Sequence, residues 1–165
     1  MLFLVEANEK YTGELAQFKK EVLLYDKNRT DQFAGCMGLR DCSTEKDWIK
    51  LCNLRKRTET CEQAGTTVPS TTYFAIRESD NRLVGVIDLR HHIDHPILGT
   101  WGGHCGYSVR PSERGKGYAN EMLRLNIQNA KRMGLSKLLV VCDETNAASE
   151  KTILANGGVF EKYIE

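Results

Sequence analysis

The chain has 165 residues, 41% of them apolar and 27% charged, with 23 Lys and Arg against 22 Asp and Glu and a formal net charge of +1. That is the length of about one domain, so residues 1–165 are expected to form a single unit that needs no bridges or metals to fold. The even charge balance speaks against a nucleic-acid partner; no run reaches the ~18 apolar residues of a membrane span; and Leu2–Val5 is too short and lacks the basic lead of a signal peptide.

Residues 2–7 read as a short buried strand. Tyr11, Leu15, Phe18, Val22 and Tyr25 then recur at helical spacing and predict an amphipathic helix over 10–26. Residues 27–42 are polar, without a period, and read as a loop. Ser43 or Thr44 can cap a helix running to about 62, with Trp48, Ile49 and Cys52 inward and Arg55-Lys56-Arg57 solvated. Thr71–Arg77 and Arg82–Arg90 predict a hairpin about the turn Ser79-Asp80-Asn81. A further strand is expected from near Trp101 through Tyr107-Ser108-Val109; Gly102, Gly103 and Gly106 weaken it and point to a bulge or a close backbone approach. Pro111 ends it. A helix follows over 116–133, with Asn126 the one polar member of its apolar face and expected near an edge, and Gly134 closing it. Leu138–Cys142 suits a central strand buried on both faces. Asp143 or Asn146 caps a last helix to about 155, Gly157-Gly158 stops it, and Val159–Glu161 begins a final strand. This order describes an α/β domain around one mixed sheet.

The six cysteines show no Cys-x-x-Cys spacing and no zinc-finger pairing with histidine, so no metal is expected. They read as reduced thiols packing as small apolar groups, which together with the missing leader implies a cytoplasmic location.

The sharpest feature is Val109-Arg110-Pro111-Ser112-Glu113-Arg114-Gly115-Lys116-Gly117-Tyr118-Ala119, between a predicted strand and a predicted helix. Unpaired N–H groups at a helix start carry partial positive charge, and glycines let a phosphate approach them. From the residues alone this segment reads equally as a phosphate cradle and as a glycine turn that binds nothing. The nucleotide P-loop pattern fails at Arg110 and Gly117, and the dinucleotide fingerprint fails at Asn120.

Arg114-Gly115-Lys116-Gly117-Tyr118-Ala119 resembles the (Gln/Arg)-x-x-Gly-x-(Gly/Ala) signature of the GNAT (Gcn5-related) N-acetyltransferase superfamily. Asn146-Ala147-Ala148-Ser149 and Gly157-Gly158-Val159-Phe160 resemble its later segments, and residues 102–111 with 156–158 are similar to a bacterial subgroup of uncharacterised predicted acetyltransferases. The likeness is specific over 101–160 and only topological before about 70. It implies an α/β (α+β) fold: a mixed, mostly antiparallel central sheet flanked by helices, with splayed central parallel strands. It further implies acetyl-CoA as acyl donor, its pyrophosphate on the main chain of Arg114, Gly115, Lys116, Gly117, Tyr118 and Ala119. Ser108, Val109 and Arg110 then line the donor's arm, and Asn146 and Ser149 sit near its sulfur end; a helix cap and an exposed serine are the plain alternatives for the last two.

The implied reaction is attack of a neutral primary amine on the thioester, which calls for a base, a donor to the developing oxyanion, and an acid for the thiolate. The family's usual acid, a Tyr seven residues after the Asn, is replaced by Ile153. The remaining candidate catalytic side chains are His104 and Tyr107; a structural histidine and a packed tyrosine are the alternatives. Relatives continue into two more strands that complete the sheet, whereas this chain has room for one, an expected open edge that favours a homodimer. The expected acceptor is a small-molecule or peptide amine. A non-catalytic acyl-CoA-binding sensor or regulatory module is the competing reading, carried by Ile153 and the short C-terminus.

Overall fold

A computed structural model describes residues 1–164. Four strands, β1 (Leu2–Glu6), β2 (Ser70–Arg77), β3 (Arg82–Arg90) and β4 (Tyr107–Val109), form one antiparallel sheet in that spatial order. The helices are α1 (Thr12–Tyr25), α2 (Glu45–Arg55), α3 (Tyr118–Arg132) and α4 (Ala147–Ala155). α1 and α2 cover one face of the sheet, where Leu15, Phe18, Trp48 and Ile49 pack on Phe74, Ile76, Leu83 and Val86. α3 covers the other, where Met122 packs on Leu2, Ala75, Val84 and Ile87. Both cores depend on the two-residue alternation of β2 and β3. That alternation is interrupted once. Ala75 faces Gly85 while Ile76 faces Leu83, so Val84 is an extra residue in β3. Gly85 is fixed by the same packing, since a Cβ there would stand 2.7 Å from the Met122 sulfur.

Local rules place most elements. Thr44 caps α2 by accepting from the Asp47 N–H at 3.1 Å. Asn81 (φ 57°) closes the β2–β3 turn beside Asp80, whose carboxylate takes both ends of the Arg77 guanidinium. Gly134 (φ 89°) ends α3.

Several expectations are corrected. α2 stops at Arg55, where the Thr60 hydroxyl takes the Leu54 carbonyl at 2.6 Å. Arg55 itself is buried, because its guanidinium and the Trp48 indole both donate to the Met37 carbonyl and hang the 27–42 loop on α2. Asn126 lies at the centre of the α3 interface, fully buried, rather than at its edge. The strand expected from Trp101 is a π-helical turn over Leu98–Gly102, and β4 begins only at Tyr107. Leu138–Cys142 is half-buried and joins no ladder; among the described residues its main-chain link to the sheet is the His104 N–H on the Leu139 carbonyl, 2.8 Å. Val159–Glu161 forms no strand and is exposed.

Candidate active site

β4 and the 138–142 segment touch at one end and part at the other. Gly103 lies so close to Leu139 that a Cβ would stand 2.6 Å from its carbonyl oxygen. The close approach read from the glycines is therefore real here. Beyond His104, no main-chain hydrogen bond joins 105–109 to 140–142 among the described residues. Side chains instead join β4 to α4. The Tyr107 hydroxyl stands 2.6 Å from Ser149 Oγ, and the Ser149 N–H donates to Asn146 Oδ1 at 3.1 Å, as the cap of α4. Cys142 adjoins Ser149, and burial raises its thiol above the ordinary range. Burial likewise pushes the Tyr107 phenol up to about 12, against the lowering effect of Ser149.

The 27–42 loop closes this region from the side. Ser108 Oγ donates to the Ala34 carbonyl at 2.6 Å, and Asn146 Nδ2 donates to Asp31 at 3.1 Å. An open cleft of about 500 Å³ lies between residues 28–31 and 143–148. Asp31 and Ala34 had no sequence signal, because the loop is polar and aperiodic and its contacts span more than seventy residues.

The glycine turn has a distinct electrostatic character. Gly115 (φ 78°) and Gly117 (φ 82°) both take the left-handed conformation that other residues resist. Gly117 provides no side chain to cap α3, and the N–H groups of Gly115 through Asn120 have no acceptor among the described residues. Nothing lies within 4 Å of where a Cβ at Gly115 or Gly117 would stand, so the turn is open at both glycines. The charged side chains, by contrast, are already engaged. Arg114 forms a two-bond pair with the buried Asp26 at 2.7 and 2.5 Å and also donates to the Val109 carbonyl. Lys116 pairs with Glu113 at 2.9 Å. An anion at this turn would therefore be held mainly by main-chain dipoles. Tyr118 turns its hydroxyl to Arg77, and Ala119 sits half-buried in the first turn of α3.

Two side chains expected at the site are committed elsewhere. Arg110 is buried, donating to Glu21 and Glu14 at 2.9 Å each and to the Leu83 carbonyl, so its guanidinium serves α1 rather than the cleft. His104 is buried too, and its Nδ1 accepts the Leu139 N–H at 2.9 Å. Burial first, and the Arg90 charge second, hold its pKa below the ordinary value. The ring is thus neutral with its proton on Nε2 and its one lone pair occupied, which leaves no position to receive a proton. Its role here is the structural one, fastening the 138–142 segment to the sheet. Val109 packs on the α3 side with Tyr107, while Ser108 points to the opposite face.

An acetyltransferase (GNAT) domain model matches residues 37–159. The chain belongs to the GNAT acetyltransferase family. Solved structures with the same fold include RimL, a ribosomal-protein alpha-N-acetyltransferase in complex with coenzyme A (TM-score 0.63, 19% identity, 94% of this chain and 78% of that one). The microcin self-immunity acetyltransferase MccE, in complex with acetyl-CoA and AMP, is similar at TM-score 0.61 and 19% identity over 94% of this chain and 77% of that one. A predicted acetyltransferase from Clostridium acetobutylicum with acetyl-CoA gives TM-score 0.53 and 16% identity over 100% and 95% of the two chains. No curated protein matches the chain.

Proposed function

We propose that this GNAT protein transfers an acetyl group from acetyl-CoA to a primary amine of a small molecule or peptide, by direct attack on the thioester. The observation that carries this reading is the row of unpaired N–H groups at Gly115–Asn120, on a turn with open space beside Gly115 and Gly117. The N–H row suits a diphosphate. The side of β4 that makes no main-chain bond to 140–142 suits an extended arm, with Ser149, in contact with Tyr107, at its end.

Catalysis rests on positioning and on one donor pair. The phenol is the stronger acid of the two hydroxyls, so Tyr107 donates to Ser149 Oγ and leaves the serine hydrogen free for the departing thiolate. A phenol pushed up to about 12 stays protonated throughout the neutral range. A thiol titrates near ~8.5, so the pair stabilises the thiolate by hydrogen bonding rather than by surrendering a proton. This pair takes the place of a donor at Ile153, which is half-buried against Gly158. The nitrogen–carbon bond forms as the carbon–sulfur bond breaks, and the proton lost by the amine passes to water in the open cleft, whose rim carries Asp31 and Asp143.

The apolar residue at 153 favours one other reading, an acyl-CoA sensor without turnover. A pooled panel of polyamine, amino-acid and peptide amines, read by release of free thiol from acetyl-CoA, separates the two. Acceptor-dependent thiol supports transfer; binding of acetyl-CoA with no thiol release from any amine supports the sensor.

A further inference from the structure

β3 and β4 pair so that Val84 faces Arg110, Val86 faces Ser108, Asp88 faces Gly106 and Arg90 faces His104 along one hydrogen-bonded register. A regular antiparallel rung exchanges two main-chain bonds. At Arg90 and His104 only one is made, because the His104 N–H goes to Leu139, and at Asp88 and Gly106 likewise only one, from the Asp88 N–H to the Gly106 carbonyl at 3.1 Å. At this second rung the return bond is diverted on both sides. The Gly106 N–H donates to the Asp88 carboxylate at 2.7 Å, and the Asp88 carbonyl accepts from Asn126 Nδ2 of α3 at 3.0 Å. Both side chains are buried, Asn126 completely.

Burying a carboxylate and a carboxamide to replace one ordinary main-chain bond is costly unless every group is satisfied. Here they are: Asp88 also faces Arg90 at 3.6 Å, and Arg90 in turn holds the Gly102 and Gly103 carbonyls. The consequence is geometric. Gly106 keeps one ladder bond to β3 and lies, just before β4, tight against the 27–42 loop; a Cβ at Gly106 would be 2.8 Å from the Gly35 nitrogen. The next two residues are Tyr107 and Ser108, which reach Ser149 and Ala34.

We propose that Asp88 and Asn126 are positioning residues for the acetyl donor: by taking the two main-chain groups of the missing bond they fix Gly106 between β3 and the 27–42 loop and set the edge of β4 that the donor's arm lies along. This inference rests on the donor reading of the cleft. Neither residue touches the donor.

The test compares calorimetric affinity for acetyl-CoA, melting temperature and the Gly106 amide resonance across variants. Asn126→Leu frees the Asp88 carbonyl to recover the Gly106 N–H, so a regular rung re-forms. The expected result is a shifted Gly106 resonance, a melting temperature equal to or above that of the parent, and affinity weakened at least tenfold. Asp88→Asn keeps an acceptor for Gly106 and is expected to bind within threefold of the parent, whereas Asp88→Ala loses binding. Ile49→Ala, buried where α2 packs on the sheet, lowers the melting temperature without moving affinity. Unchanged affinity in folded Asn126→Leu, or equal loss in Asp88→Asn and Asp88→Ala, overturns the proposal. Should Asp88→Ala fail to fold, Asn126→Leu alone decides. A parent protein that does not bind acetyl-CoA at all overturns the donor reading instead, and the Gly106 resonance still reports whether the diverted rung exists.

Discussion

The Tyr107 hydroxyl and Ser149 Oγ, brought from β4 and the first turn of α4, stand 2.6 Å apart across the mouth of the parted segments. The Tyr107 ring packs against the α3-side core and burial raises its phenol to about 12, while its hydroxyl reaches a serine whose main-chain N–H is taken by Asn146.

If the serine hydrogen serves the leaving thiolate, Ser149→Ala lowers kcat about 100-fold, the scale of losing one preorganised donor. Tyr107→Phe should cost less, roughly tenfold, because it removes the polarising partner and not the donor. KM for acetyl-CoA stays within a few-fold in both. Combined, the two substitutions cost no more than Ser149→Ala alone, because they act as one unit. Steady-state kinetics of the four proteins checks this; additive losses would contradict a shared role.

Arg110 provides a contrast. Its guanidinium is 4% exposed and bonded to Glu14 and Glu21. Arg110→Met should destabilise the fold by about 3 kcal/mol, the lower figure for breaking a buried pair, since both glutamates keep some contact with water. Urea denaturation measures it. Acetyl-CoA affinity of the folded variant should be unchanged; a tenfold loss at full folding would return Arg110 to the cleft.

His104 gives a pH prediction with a definite sign. Its folded pKa lies below the ordinary 6.5, as does that of His91, so the unfolded chain takes up protons that the native state does not. Stability therefore falls as pH drops through about 6.5. His104→Asn keeps an acceptor for the Leu139 N–H but cannot titrate. Between pH 7.5 and 5.5 it should lose less stability than the parent. Asp88, with a raised pKa, acts in the opposite sense, but it is common to both proteins and cancels in the comparison. Equal losses would contradict a neutral, buried His104.

Much of this was legible in the sequence where structure is local. The cap at Thr44, the turn at Asn81, the stop at Gly134 and the glycine turn before α3 each follow from one residue and its neighbours. Asn146 caps α4 by accepting the Ser149 N–H, as the plain reading of that residue expected. The failures are long-range. Nothing local says that Arg110 meets α1, that Arg55 meets Met37, or that Asn126 is buried to reach the Asp88 carbonyl. A polar residue on an apolar face looks like an edge residue until its partner strand is placed. Leu138–Cys142 has strand composition, yet a strand is made by partners, and among the described residues it is bonded to the sheet's main chain only where His104 reaches it.

The central claim is that main-chain amides at Gly115–Asn120 hold the donor's diphosphate. Gly117 (φ 82°) has no neighbour within 4 Å of where a Cβ would stand, so Gly117→Val acts on backbone conformation alone. The most direct measurement is calorimetric titration of the parent and of folded Gly117→Val with acetyl-CoA. The account predicts one donor bound per parent chain in the micromolar range and no detectable binding to the variant. Absence of binding to the parent, or equal affinity in the two proteins, would contradict it.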